Sequence, residues 1–186
     1  MLQVEFTAFT VADYYSLPES VLSCQLIDGE LHMAPSPNRF HQQILTNLVR
    51  IIATHVKARQ LGKLYAAPFD VELTDHDVYQ PDLGFFSNEY GMKHLTEHGA
   101  KGAPDLVVEI LSPKTSRYDL GVKKDIYAQT GVREIWLADP ETLTIAVHRY
   151  SEQRELVSSF TLGVKETLET PLLPGLAIPV AEVFAD

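Results

Sequence analysis

Cysteine occurs once in the 186-residue chain, at Cys24, so no intrachain disulfide, CxxC redox pair or multi-cysteine zinc site can form within one subunit. A lone cysteine of this kind is expected as a small buried apolar residue. Long apolar runs are missing too: nothing approaches the roughly 18 to 20 uninterrupted residues of a membrane helix. The opening Met1 to Phe6 lacks a basic segment followed by an apolar one. A soluble cytoplasmic protein with no membrane partner is therefore expected. Positive charge is scarce, with 15 Lys plus Arg against 25 Asp plus Glu and a net charge of −10, which argues against coating nucleic acid through overall charge. No G-x-S-x-G, P-loop or G-x-G-x-x-G occurs, so serine hydrolases, nucleotidases and dinucleotide-binding enzymes lose their usual anchors. There is no internal repeat and no Gly/Ser-rich linker, so the chain reads as one domain.

What is present is ordinary globular material, 45% hydrophobic and 22% charged, enough to bury a core. The charge is uneven. Between Ala34 and Lys63 stand Arg39, Arg50, Lys57, Arg59 and Lys63 with no acid, a pattern that suits either a polyanion-binding side or a solvated helix face.

The apolar pattern predicts a short helix from Val11 to Leu17, then two strands around Asp28-Gly29, a dipeptide suited to a tight hairpin turn. Ser36-Pro37 reads as N-cap and first residue of a helix carrying Ile44, Leu45, Leu48, Val49, Ile52 and Val56 as far as Gly62. Leu64 to Leu73 and Val78 to Phe86 read as two antiparallel strands joined at Asp75-His76-Asp77. Ala103 to Leu111 contains an almost continuous apolar run suited to a central strand covered on both faces. Ser116 fits the cap of a helix ended by Gly131, and strands are expected at Glu134 to Ala138 and Thr144 to His148. The order implies an α+β protein, a mixed sheet with helices packed on it.

His94-Leu95-Thr96-Glu97-His98 has the H-x-x-E-H spacing of some zinc peptidases, but Gly91, Gly99 and Gly102 crowd it, and a loop or short helix is the reading preferred. Carboxylates inside apolar strands carry more information. Asp82 follows Gln80-Pro81 and leads into Leu83-Gly84-Phe85-Phe86, while Glu109 interrupts Leu106 to Leu111. Such acids are costly unless paired or bound to a cation. If they converge, a hard divalent ion such as Mg²⁺ would relieve their repulsion, and Glu30 beside the hairpin turn is a third candidate. At about 100° per residue, Lys123 falls in the apolar arc of its helix with Leu120 and Tyr127, so its ammonium needs an anion, whereas Lys124 faces the other way, towards water.

Taken together these segments resemble a known family, the Uma-type endonucleases of the PD-(D/E)XK superfamily. The likeness runs from Leu26-Ile27-Asp28-Gly29-Glu30 and Pro35 to His41, through Ala67 to Val71 and Gln80-Pro81-Asp82-Leu83, to Gly102 to Pro113. It continues in Asp119 to Lys123, Tyr127-Ala128, Gly131 to Glu134 and Trp136 to Pro140. The resemblance implies a restriction-endonuclease-like mixed-sheet core across residues 1–186 and a Mg²⁺-dependent phosphodiesterase site, with Mn²⁺ as a substitute and DNA as substrate. It implies Asp82, Glu109 and the Ile110 carbonyl as metal ligands, with Glu30, Asp82, Glu109 and Lys123 as the catalytic set. Two positions depart from the pattern. The superfamily's E-x-K spacing would place lysine where this chain has Leu111, so the lysine is expected from the following helix as Lys123. An acid found in relatives is replaced by Gln25. Arg39, His41, Lys57 and Arg59 are the expected nucleic-acid contacts. A monomer and a homodimer both remain open, as does a non-catalytic binding module on the same fold, which the net charge and Leu111 would favour.

Overall fold

The computed structural model describes residues 8–18, 24–33, 36–112 and 117–186. The first helix, α1 (Val11–Tyr15), is held by a reciprocal cap in which Thr10 and Asp13 bond each other's backbone N–H. Strands β1 (Cys24–Ile27) and β2 (Glu30–Met33) form the expected hairpin, with Asp28 at φ 49° and Gly29 at φ 75°, the paired left-handed conformation that a two-residue turn requires. Cys24 is buried and free.

Helix α2 (Arg39–Arg59) starts later and ends sooner than its apolar pattern suggests. Asn38 replaces Ser36 as the cap, its side-chain oxygen accepting from the His41 N–H at 2.9 Å. Gln60, at φ 53°, turns the chain out of the helix, so Gly62 belongs to the next strand.

That strand is β3 (Gly62–Ala66), followed by β4 (Asp70–Thr74), β5 (Asp77–Tyr79) and β6 (Leu83–Ser87). The two long strands read from the sequence are thus four, and they part company at Pro68 and Pro81. Proline cannot donate to a ladder, so each run breaks there and its halves enter different sheets. β4 and β5 pair antiparallel in a five-stranded sheet of order β2-β1-β5-β4-β7, where β7 is Gly99–Lys101. β3 and β6 pair in a six-stranded sheet.

The rest of that second sheet is β8 (Leu106–Ile110), β9 (Glu134–Asp139), β10 (Thr144–Tyr150) and β11 (Leu156–Gly163), in the order β11-β10-β9-β8-β6-β3. β8 and β9 run parallel, joined by α3 (Arg117–Thr130). The cap expected at Ser116 lies outside the described residues. Beyond β11, a two-stranded sheet of β12 (Thr167–Glu169) and β13 (Ala177–Pro179) leads into α4 (Val180–Val183). The sequence pattern had assigned nothing from β11 onward.

Two apolar clusters meet at the six-stranded sheet. Ile44, Leu48, Ile52 and Val56 of α2 pack with Leu106, Val108, Ile110, Trp136, Ala138, Ile145 and Val147. Tyr127, Val122 and Ile126 of α3 pack with Val107 and Ile135 from the alternate positions of the same strands. All five residues of β8 are buried, as a doubly covered central strand demands. Among the described residues no helix is long and apolar enough to cross a membrane.

Candidate active site

The pleat of β8 decides where Glu109 goes. Leu106, Val108 and Ile110 join the α2 cluster, so Val107 and Glu109 point to the α3 side, where Lys123 and Tyr127 stand one helical turn apart. The Lys123 ammonium donates to Oε1 of Glu109 at 3.2 Å, and the Tyr127 hydroxyl donates to the same oxygen at 2.7 Å. Both contacts are buried. The Lys123 ammonium also lies 5.6 Å above the ring of Tyr79, which meets Tyr127 edge-on at 5.3 Å.

Asp82 sits just before β6, which pairs antiparallel with β8, so it reaches the far end of β8. Its Oδ2 accepts from the Ile110 N–H at 2.7 Å, and its Oδ1 lies 3.2 Å from Nε2 of His41 in the first turn of α2. The segment before it is fastened by Gln25, whose Oε1 accepts from the Gln80 N–H at 3.1 Å. The Gln25 amide therefore supports the approach to Asp82.

The electrostatics follow from burial and proximity. Burial pushes the Glu109 carboxyl up, the Asp82 charge adds to this, and Lys123 with Tyr127 opposes both. His41 is pushed up chiefly by its hydrogen bond to Asp82, and the charges of Asp82 and Glu109 act in the same sense against burial. Nδ1 of His41 is buried without a hydrogen-bond partner among the described residues. Burial pushes the Tyr127 hydroxyl well up, so it stays a donor.

Four expected residues thus share one place: Asp82, Glu109, the Ile110 backbone and Lys123, and His41 joins them from a different expected role. Glu30 does not. It is 83% exposed in its side chain, its ion-pair partner is His32 at 3.9 Å, and none of the described contacts of Asp82, Glu109 or Lys123 reaches it. A place beside the hairpin turn puts it on the surface. Lys124 is half-buried rather than water-facing, and its charge adds to the burial that pushes His148 down. Tyr127 and Tyr79 were missed, although the helical count had put Tyr127 in the same arc as Lys123.

The expected nucleic-acid contacts also separate. At about 100° per residue Arg39, Arg50 and Lys57 share one exposed face of α2, while His41 and Arg59 lie on roughly the opposite side. The Arg39 guanidinium lies over the Phe40 ring and 3.5 Å from Asp186. Arg59 reaches back over Gly175, where an added Cβ would come within 3.2 Å of its guanidinium. His94 ends a short 3-10 turn and its Nδ1 meets the Lys101 carbonyl at 3.0 Å, so the H-x-x-E-H string is a loop and not a helical zinc pair.

Among the described residues no group of three or more His, Cys, Asp or Glu is placed to share a metal ion. A family model named Uma2, with the description "Putative restriction endonuclease", matches residues 11–181. A solved structure described as a putative nuclease belonging to DUF820, from Anabaena variabilis ATCC 29413, shares the fold with a TM-score of 0.77 at 22% identity, covering 95% of this chain and 97% of that one. No curated protein matches the chain.

Proposed function

Because this chain belongs to the Uma2 family, on a restriction-endonuclease-like α+β fold, we propose that it is an endonuclease that hydrolyses DNA phosphodiester bonds at Asp82, Glu109 and Lys123 with a divalent cation. The observation that carries this reading is the buried Lys123–Glu109 contact of 3.2 Å beside Asp82, two carboxylates and a lysine delivered by three separate elements. The carboxylate pair fits Mg²⁺, which binds through one or two carboxylates and keeps waters or substrate phosphate oxygens elsewhere. Mn²⁺ suits the same donors. Held by Asp82, Glu109 and the Ile110 carbonyl, the cation would polarise a phosphate oxygen and lower the pKa of a bound water.

The chain's own groups do the remainder. Lys123 carries a positive charge, held in place by Glu109 and the Tyr79 ring, that can meet the negative charge gathering on the attacked phosphate. Asp82 fixes the Ile110 backbone through its N–H, and with it the neighbouring carbonyl. The exposed α2 face of Arg39, Arg50 and Lys57 supplies phosphate contacts along the duplex. Leu111, in the position of the superfamily's lysine, is no obstacle to this reading, because the helix supplies the ammonium instead.

Incubation of plasmid DNA with the protein and Mg²⁺ or Mn²⁺ tests the proposal. The wild type should nick or linearise the plasmid and Asp82→Ala should not. No metal-dependent cleavage by the wild type on single- or double-stranded DNA would overturn the enzyme reading and leave the binding module.

A further inference from the structure

We propose that Tyr127 is a positioning residue: with Lys123 it occupies Oε1 of Glu109, so that Oε2 is the oxygen presented to the divalent cation. The proposal deepens the nuclease reading above and rests on it. Two donors converge on a single oxygen, Tyr127 at 2.7 Å and Lys123 at 3.2 Å, and among the described residues Oε2 accepts no hydrogen bond. A carboxylate held at one oxygen by donors from two directions has lost its freedom to rotate, and the opposite oxygen takes a fixed aim. The donors are themselves fixed. Tyr127 is 1% exposed and its ring stands edge-on to Tyr79 at 89°, while the ammonium of Lys123 lies over that same Tyr79 ring. Tyr127 and Lys123 are four residues apart on α3, so one helix face sets both at once.

A hydroxyl that merely satisfied a buried carboxylate would affect folding and leave cation affinity alone. A positioning hydroxyl affects affinity in a protein that still folds, and groups that orient a metal ligand are worth about 10- to 100-fold in that affinity. Tyr127→Phe keeps the ring and its contact with Tyr79 and removes only the donor. Calorimetric titration with Mn²⁺, on wild type and Tyr127→Phe of matching circular dichroism, should show affinity weakened about tenfold or more. Equal affinity overturns the proposal and leaves the nuclease reading standing; no Mn²⁺ uptake by the wild type overturns both. If Tyr127→Phe does not fold, infrared difference spectra of the wild type with and without Mn²⁺, blanked by Glu109→Gln, decide the matter. Coordination through Oε2 alone gives the wide carboxylate splitting of a monodentate ligand. The narrow splitting of a bidentate one overturns the proposal.

Discussion

Glu109 stands among branched aliphatics in a strand buried along its whole length, where a lone negative charge would be held far from water. Lys123 and Tyr127 answer that charge, and the tilt of the balance is still towards a raised carboxyl. His41 plays the matching part for Asp82. Its folded pKa lies above the ordinary 6.5, so the contact with Asp82 stabilises the fold fully below that value and loses its contribution as the pH rises through the raised one. In chelator, the thermal midpoint of His41→Asn should therefore fall furthest below the wild type near about pH 5.5, with the gap narrowing towards about pH 8.5. A gap constant across that range would mean that His41 takes up its proton at the same pH folded and unfolded, so that Asp82 does not favour the imidazolium. At this scale Asp82, Glu109 and Lys123 were legible because each breaks the local pattern: an acid or a base among apolar neighbours needs a partner. Tyr127 breaks no pattern. A tyrosine on an apolar face is ordinary core, and only the carboxylate eighteen positions away gives its hydroxyl a purpose.

Among the elements, α2 carries the clearest functional division. Its buried side holds the sheet, its first turn sends His41 to Asp82, and its exposed side carries Arg39, Arg50 and Lys57 over about 27 Å of helix. Arg59 lies on the other side, over Gly175. Charge reversal therefore separates the faces: the double variant Arg50→Glu, Lys57→Glu should reduce the steepness with which DNA affinity falls with salt by about two phosphate contacts, while Arg59→Glu should leave it close to the wild type. The slope is read from fluorescence anisotropy across a salt series, in chelator to prevent cleavage. An unchanged slope in the double variant would mean that the face is only solvated. Element type was legible wherever local chemistry is strong, as at Asp28-Gly29 and in β8. It failed at Pro68 and Pro81, because alternating apolar residues continue across both prolines and the crossing from one sheet to the other is a tertiary event. The edge strand β11, with Leu156 and Val157 exposed, offers too weak an alternation to be read without its neighbour β10.

For the whole molecule, the fold matters because of what it brings together. Asp82 enters from the start of β6, Glu109 from the antiparallel β8, Lys123 from the crossover helix between β8 and β9, and His41 from the helix on the opposite face. Net charge −10 describes the molecule and not this place, where Lys123 and His41 face two carboxylates. The resemblance in sequence order had implied three of these four as catalytic groups. Glu30, the third acidic candidate, lies elsewhere, since adjacency to a turn says nothing about which surface the turn faces. On the proposed mechanism, Lys123 supplies, from a helix, the ammonium that the superfamily's strand motif would have placed at Leu111. The most direct test of this claim is the rate of metal-dependent plasmid cleavage by the wild type, Lys123→Met and Lys124→Met measured side by side. Methionine keeps the apolar stem of the lysine, and Lys124→Met removes the same charge one position along the helix, near His148 instead of Glu109. Turnover should fall about 10²-fold or more in Lys123→Met and stay near the wild-type rate in Lys124→Met; equal cleavage by all three proteins would contradict the claim.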